Sequence, residues 1–276
     1  MTRTTETTLT LADGRTRPLS VWEPKGTPRG LVLGLHAYGD NRHGFAALGP
    51  RFAAEGYRVW AYDHRGFGRS DIRSRAFPGT DRLVADAAFA AKLLATTAPG
   101  TPLLLAGESM GGGIAVVAAA TRLASPVALL LAAPAVRGAV PYRYAYNVGL
   151  WIGSTLAPWL GATVNRDLDQ MHPLAAERFG ESDHVIRFVT IGDYYGIIRV
   201  ADRAADAAPD VRVPVFVAYG TDDRIVPSVA IRAFAKTVPS PVEVKTYEGG
   251  PHGLLQWSGH ATVETDMLTF LGDHVR

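Results

Sequence analysis

Cysteine is absent from the 276 residues, which excludes disulfides, a thiolate nucleophile and cysteine-ligated metals together. Nowhere do about 18 uncharged apolar residues follow one another, so no integral membrane segment is expected. The first residues, Met1-Thr2-Arg3-Thr4-Thr5-Glu6-Thr7-Thr8, lack the apolar stretch of a secretory leader, and a cytoplasmic protein is the expectation. Charge of one sign is scarce as well. The net charge is +2 and no Lys/Arg-rich run stands out, which argues against a nucleic-acid partner. No internal repeat or low-complexity tract breaks the chain. What remains is a composition of 47% hydrophobic and 20% charged residues, globular in character, in a chain suited to one α/β domain with an insertion.

The pattern along the chain supports that class. Thr7 to Leu11 and Leu19 to Trp22, around the Asp13-Gly14 turn, read as a hairpin. Leu31 to Leu35, Arg58 to Ala61, Pro102 to Ala106, Val127 to Leu131, Val213 to Ala218 and Val242 to Thr246 read as strands, several of them continuous apolar runs that suit burial on both faces. Helical patterns lie between them: Phe45 to Glu55, Asp81 to Ala95, Gly112 to Ala120, Ser228 to Thr237 and His260 to Leu271. Such alternation predicts a mostly parallel sheet with helices on both faces.

The stretch from Arg137 to Pro209 departs from the rhythm. It is patterned as helix without clear strands, and it holds Tyr142, Tyr144, Tyr146, Trp151, Trp159, Phe179, Phe188, Tyr194 and Tyr195. It reads as a helical lid over the carboxyl ends of the strands, where ligands of open α/β sheets bind. The aromatics could equally form the insert's own small core. For Trp151 and Trp159, pocket lining, contact with a membrane surface and internal packing all remain open.

Gly107-Glu108-Ser109-Met110-Gly111 stands between a strand-like run and a small-residue helix. In that setting Gly-x-Ser-x-Gly is the pattern of a sharp strand-to-helix turn that exposes a serine nucleophile. A serine hydroxyl needs a base, usually a histidine oriented by a carboxylate. Of eight histidines, His252 lies in the glycine-rich loop Glu248-Gly249-Gly250-Pro251-His252-Gly253 after a strand. The acid comes from Tyr219-Gly220-Thr221-Asp222-Asp223-Arg224, where two aspartates compete. The chain order Ser109, Asp223, His252 matches an α/β sheet hydrolase and neither chymotrypsin nor subtilisin. The Met110 N–H, at a helix N-terminus, is one candidate oxyanion donor. Tyr38, in the loop His36-Ala37-Tyr38-Gly39, is the other.

These segments, with Asp40, Asp63-His64-Arg65-Gly66-Phe67-Gly68-Arg69-Ser70 and Gly220 to Val226, resemble α/β-hydrolases, most closely the serine hydrolases grouped with monoacylglycerol lipases and lysophospholipases. The resemblance covers about residues 30 to 130 and 213 to the end. It implies the α/β-hydrolase fold: one domain over residues 1–276, a mostly parallel eight-stranded sheet flanked by helices, and an inserted helical cap at 137–209. It implies Asp223 rather than Asp222 as the acid. Ala37 stands where that family has glycine, which a negative φ would allow.

The expected enzyme is a carboxylic-ester hydrolase acting on small, lipid-like monoesters with an apolar group, such as monoacylglycerols or lysophospholipids. It works through an acyl-enzyme and needs no cofactor. A thioesterase, peptidase, polyester hydrolase or acyltransferase would use the same groups, and a binding module with an idle triad is the rival from another class. A serine nucleophile argues against dehalogenase and epoxide hydrolase chemistry. His36 and His64 read as ties between loop backbones, with Asp63 and Arg65 holding the loop after them. His172, His184, His260 and His274 show no metal-ligand spacing. Asp202 and Asp206, at helical spacing from Arg199 and Arg203, read as a solvated face.

Overall fold

The computed structural model describes residues 3–70, 77–137, 143–164, 167–181 and 184–275. Tyr142 and the side chains of Tyr144 and Tyr146 lie outside the described residues.

The hairpin forms from β1 (Arg3–Thr10) and β2 (Thr16–Glu23). Then come β3 (Gly30–Leu35), α1 (Leu48–Ala54), β4 (Tyr57–Tyr62), α2 (Thr80–Thr96), β5 (Leu103–Glu108), α3 (Met110–Ala120) and β6 (Ala128–Ala132). The segment that follows contains α4 (Arg143–Leu156), β7 (Gly161–Thr163), α5 (Pro173–Glu181), β8 (Phe188–Thr190) and α6 (Ile191–Ala207). The chain closes with β9 (Val215–Gly220), α7 (Ser228–Thr237), β10 (Val242–Tyr247) and α8 (His260–His274).

Eight strands form one sheet in the order β1-β2-β4-β3-β5-β6-β9-β10. β1 with β2 and β2 with β4 are antiparallel, and the remaining neighbours are parallel. The expected α/β-hydrolase architecture is thus the one observed. Strands β3, β5, β6 and β9 are buried along their whole length, as a sheet covered on both faces requires. Their side chains alternate between two cores. Leu31, Leu33, Leu105, Leu129 and Val217 meet α2, α3, α6 and α7. Val32, Leu104, Leu130 and Phe216 meet α1 and α8 through Phe52, Met267 and Phe270. Helix α3 is apolar all round and correspondingly buried, sandwiched between the sheet and α6.

The insert differs from its expected all-helical form. β7 and β8 pair antiparallel in a second, two-stranded sheet. Three-residue strands are too short for an alternation to register. Thr190 ends β8 and caps α6: its hydroxyl accepts from the Asp193 N–H, and the Asp193 carboxylate accepts from the Thr190 N–H, a capping box. Helix α6 packs on α3, so it also serves as the crossover between β6 and β9. Its Asp202 corrects the expected solvated face. That carboxylate is buried and pairs with Arg137 at 3.0 Å, with Asn147 of α4 donating to it at 2.6 Å. Helical spacing tells which residues share a face and not what packs against it. Among the described residues, no helix is long and apolar enough to cross a membrane.

Candidate active site

Ser109 occupies the single residue between β5 and α3, with φ 51° and ψ −115°. That left-handed φ is costly for a side chain with a Cβ, of the order of 1–3 kcal/mol, and the surroundings enforce it. Ser109 N–H donates to the Ala132 carbonyl at 2.9 Å, and its own carbonyl accepts from Ala135 at 2.8 Å and Gly113 at 3.1 Å. The flanking glycines are demanded by close approach. A Cβ on Gly107 would lie 2.5 Å from the Gly111 backbone, and one on Gly111 only 1.9 Å from the Leu35 carbonyl oxygen. Met110 is the first residue of α3, so its N–H has no acceptor within the helix and lies at the positive end of the dipole.

Parallel pairing of β9 with β10 brings the loops after them together. His252 Nδ1 lies 2.8 Å from Asp223 Oδ2, and His252 Nε2 lies 2.8 Å from Ser109 Oγ. An ionised carboxylate only accepts, so Nδ1 carries the ring proton and Nε2 is left to accept from the serine hydroxyl. Burial pushes the Asp223 carboxyl up, but its bond with His252 and the N–H groups of Val226 (2.9 Å) and Ile225 (2.8 Å) outweigh that. The net result is a carboxyl held below its ordinary value and ionised at neutral pH. Asp222, the competing aspartate, is exposed and turns its N–H to the Gly250 carbonyl.

The third loop follows β3, the neighbour of β5, with Leu35 in register with Gly107. Among described non-glycine residues a positive φ occurs at Ser109, Arg122 and Ala133 only, so Ala37 sits in ordinary backbone and needs no glycine. Tyr38 stacks edge-on against Phe67, ring centroids 5.4 Å apart. His36 ties the loop as expected. Its Nε2 accepts from the His64 N–H at 3.0 Å, which leaves Nδ1–H to donate to the Ala37 carbonyl at 2.8 Å. The His64 ring is fully buried and packs against His36 and Tyr62, ring centroids 4.2 Å and 5.0 Å away. Asp63 does hold its loop, accepting from Arg69 N–H and from the Arg42 backbone and guanidinium. Arg65 bridges to Asp86 of α2 and to Asp13.

Sequence spacing did not bring out a buried polar cluster behind these loops, formed by Asp40, Glu108, Arg178 and Gln256. A signal was present in Glu108, a carboxylate ending an otherwise apolar buried strand, which demands partners. His172 and His260 also meet, rings perpendicular and centroids 4.6 Å apart, with His260 Nδ1 at 2.8 Å from Glu264. No group of three or more potential metal ligands occurs among the described residues. Of the insert's described aromatic side chains, Phe179 is buried, whereas Trp151 is 55% and Trp159 68% exposed.

A buried sheet with serine, histidine and aspartate converging at its strand ends defines an α/β-hydrolase. Residues 26–256 match the family described as serine aminopeptidase, S33, and the chain belongs to that family. Among curated relatives, a monoacylglycerol lipase of Mycolicibacterium smegmatis is 27% identical over 92% of this chain and 92% of its own length. A human monoglyceride lipase is 26% identical over 88% of this chain and 82% of its own. Among solved structures, a soluble variant of the Saccharomyces cerevisiae monoglyceride lipase, bound to a substrate analog, superposes with a TM-score of 0.81 at 19% identity. That match covers 99% of this chain and 95% of the other.

Proposed function

We propose that this chain hydrolyses carboxylic esters through an acyl-enzyme on Ser109. The observation that carries the reading is the unbroken hydrogen-bond chain Asp223–His252–Ser109, with both links at 2.8 Å. His252 Nε2 takes the hydroxyl proton as Ser109 Oγ attacks the acyl carbon, and the N–H groups of Met110 and Tyr38 hold the oxyanion. The imidazolium then gives its proton to the leaving alcohol. In the second half His252 activates a water that attacks the acyl-enzyme, and Ser109 recovers its proton. Asp223 keeps the ring in the productive tautomer and stabilises its charged form. None of these steps calls on a cofactor.

Monoacylglycerols and lysophospholipids are the favoured substrates. The relatives named for monoacylglycerol support this, as does the apolar surface of the insert. Residues 137–209 act as the cap, and α4 with the turn after it presents Val148, Trp151, Ile152, Leu156, Trp159 and Leu160 to solvent. Val148, Trp151, Ile152 and Leu156 recur at helical spacing and share one face of α4, which with the exposed Trp159 and Leu160 of the turn after it suits peripheral contact with a lipid surface from which substrate is drawn. The family's description favours a second reading, cleavage of amino-acid amides by the same groups.

Assays of p-nitrophenyl esters of increasing chain length against amino-acid amides separate the two. The expected result is turnover of the esters, rising from acetate to longer acyl chains, and its loss in Ser109→Ala. Full activity in that variant, or preference for the amides, overturns the ester reading.

A further inference from the structure

One guanidinium reaches from the insert to two of the loops around Ser109. Arg178 projects from α5 with its side chain 8% exposed. Its Nε donates to Asp40 Oδ1 at 3.0 Å, Nη2 to Asp40 Oδ2 at 3.3 Å, and Nη1 to the His43 carbonyl at 2.9 Å. Nη2 also donates to Gln256 Oε1. Asp40 ends the loop that carries Tyr38, and Gln256 lies in the 3₁₀ turn Leu254–Gln256 just after His252. The Gln256 amide then donates twice, to Asp40 Oδ2 at 2.8 Å and to Glu108 Oε2 at 2.7 Å. Glu108 is the residue before Ser109, and its other oxygen accepts from the Leu255 N–H at 2.9 Å.

One buried chain, Arg178–Asp40–Gln256–Glu108, therefore runs from the insert behind all three loops that carry Tyr38, Ser109 and His252. Backbone bonds reinforce the joint. Ile186 N–H donates to the Gly39 carbonyl at 2.8 Å, His172 N–H to the Gln256 carbonyl at 2.8 Å, and Ser258 N–H to the Gln170 carbonyl at 3.0 Å.

The joint has a chemical logic. Asp40 and Glu108 are two buried carboxylates bridged by one amide, and the guanidinium supplies the opposite charge while satisfying both oxygens of Asp40. A planar fork fixes direction as well as distance, which a lysine ammonium does not. Oxyanion donors work only within a few tenths of an ångström of their target, and a displacement of about 1 Å can cost about 100-fold in rate.

We propose that Arg178 is a positioning residue: by tying α5 to Asp40 and Gln256, it makes the seating of the insert set the register of the oxyanion loop against Ser109 and His252. This rests on the triad reading above and extends it to the insert.

The test uses Arg178→Lys, which keeps the charge and loses the fork, alongside Arg178→Met. Each is compared with the parent for the end point and rate of fluorophosphonate labelling and for kcat and KM on p-nitrophenyl acetate, a substrate too small to need the insert. The end point counts folded sites, and the rate reports their reactivity. In Arg178→Lys the end point is expected to match the parent, while labelling rate and kcat per labelled site fall about tenfold or more and KM shifts less than about threefold. Gln256→Ala should slow labelling too, and combining it with Arg178→Lys should cost no more than the worse single change, because both act through one chain.

A lower end point with parental rates would make Arg178 merely structural and overturn the inference. A raised KM with kcat intact would make it a substrate contact, with the same consequence. Additive losses in the double variant would also count against the chain. If the parent itself fails to label, the triad reading falls first and this inference with it.

Discussion

Two adjacent aspartates, Asp222 and Asp223, differ in what the turn after β9 lets them reach. Asp223 reaches the imidazole and Asp222 points outward, because the turn after β9 bends the chain so that two backbone N–H groups clamp the Asp223 carboxylate. Asp223→Asn is expected to lower kcat by about 10⁴-fold with little change in KM, since the amide would present a donor to Nδ1 and favour the wrong tautomer. Asp222→Asn should leave kcat/KM within about twofold, and steady-state kinetics on one ester decides both. Glycine at 111 is as demanding as any catalytic group. Gly111→Ala drives a methyl group into the Leu35 carbonyl, so loss of fluorophosphonate labelling and a melting point lower by several degrees are expected. A variant labelled at the parental rate would show that the elbow yields more than its geometry allows. The serine, the histidine and the glycines were legible as sequence because each carries a local requirement. The partners of Arg178 were not, since nothing local links it to Asp40 or to Gln256.

At the scale of elements, the strands and helices of the sheet could be read because burial on both faces writes itself as apolar runs and helical stripes. The insert could be read only in outline. Its short strands carry no period, and the role of each apolar face depended on what packs against it. Asp202 was expected in solvent and is buried beneath α4, whereas Trp151 and Trp159 could have been core and are exposed. If that exposed face meets lipid, replacing each tryptophan with serine removes about 60 Å² of apolar contact, roughly 1.5 kcal/mol or tenfold in vesicle affinity per residue. Sedimentation with monoacylglycerol-containing vesicles should show that loss, while turnover of p-nitrophenyl acetate stays at the parental level. Equal losses in both assays would return the tryptophans to a folding role.

For the whole molecule, the buried histidines of the loop after β3 and the loop after β4 couple stability to pH. Burial holds the His36 and His64 imidazoles below their ordinary value, so the folded chain keeps them neutral while the unfolded chain takes up protons below about pH 6.5. Their contribution is complete above that value and is lost as pH falls, by up to about 1.4 kcal/mol per pH unit for each. Glu108 has the opposite sign: burial pushes its carboxyl up, so its contribution is present below about pH 4.5 and is lost as pH rises. His64→Phe, which removes the titrating ring, should lose less stability than the parent between pH 7.5 and pH 5, read as a smaller fall in melting temperature. Identical pH profiles in thermal denaturation would refute this.

The residues from Gly107 to Gly111, the order of Ser109, Asp223 and His252, and the alternating apolar runs pointed to a serine hydrolase on an α/β sheet, because nucleophile, turn and buried strand each impose rules on their immediate neighbours. Which aspartate meets the base, what each buried histidine packs against, and how the insert grips the loops around Ser109 depend on contacts between residues distant along the chain. Those contacts exist only once the strands have been set in register.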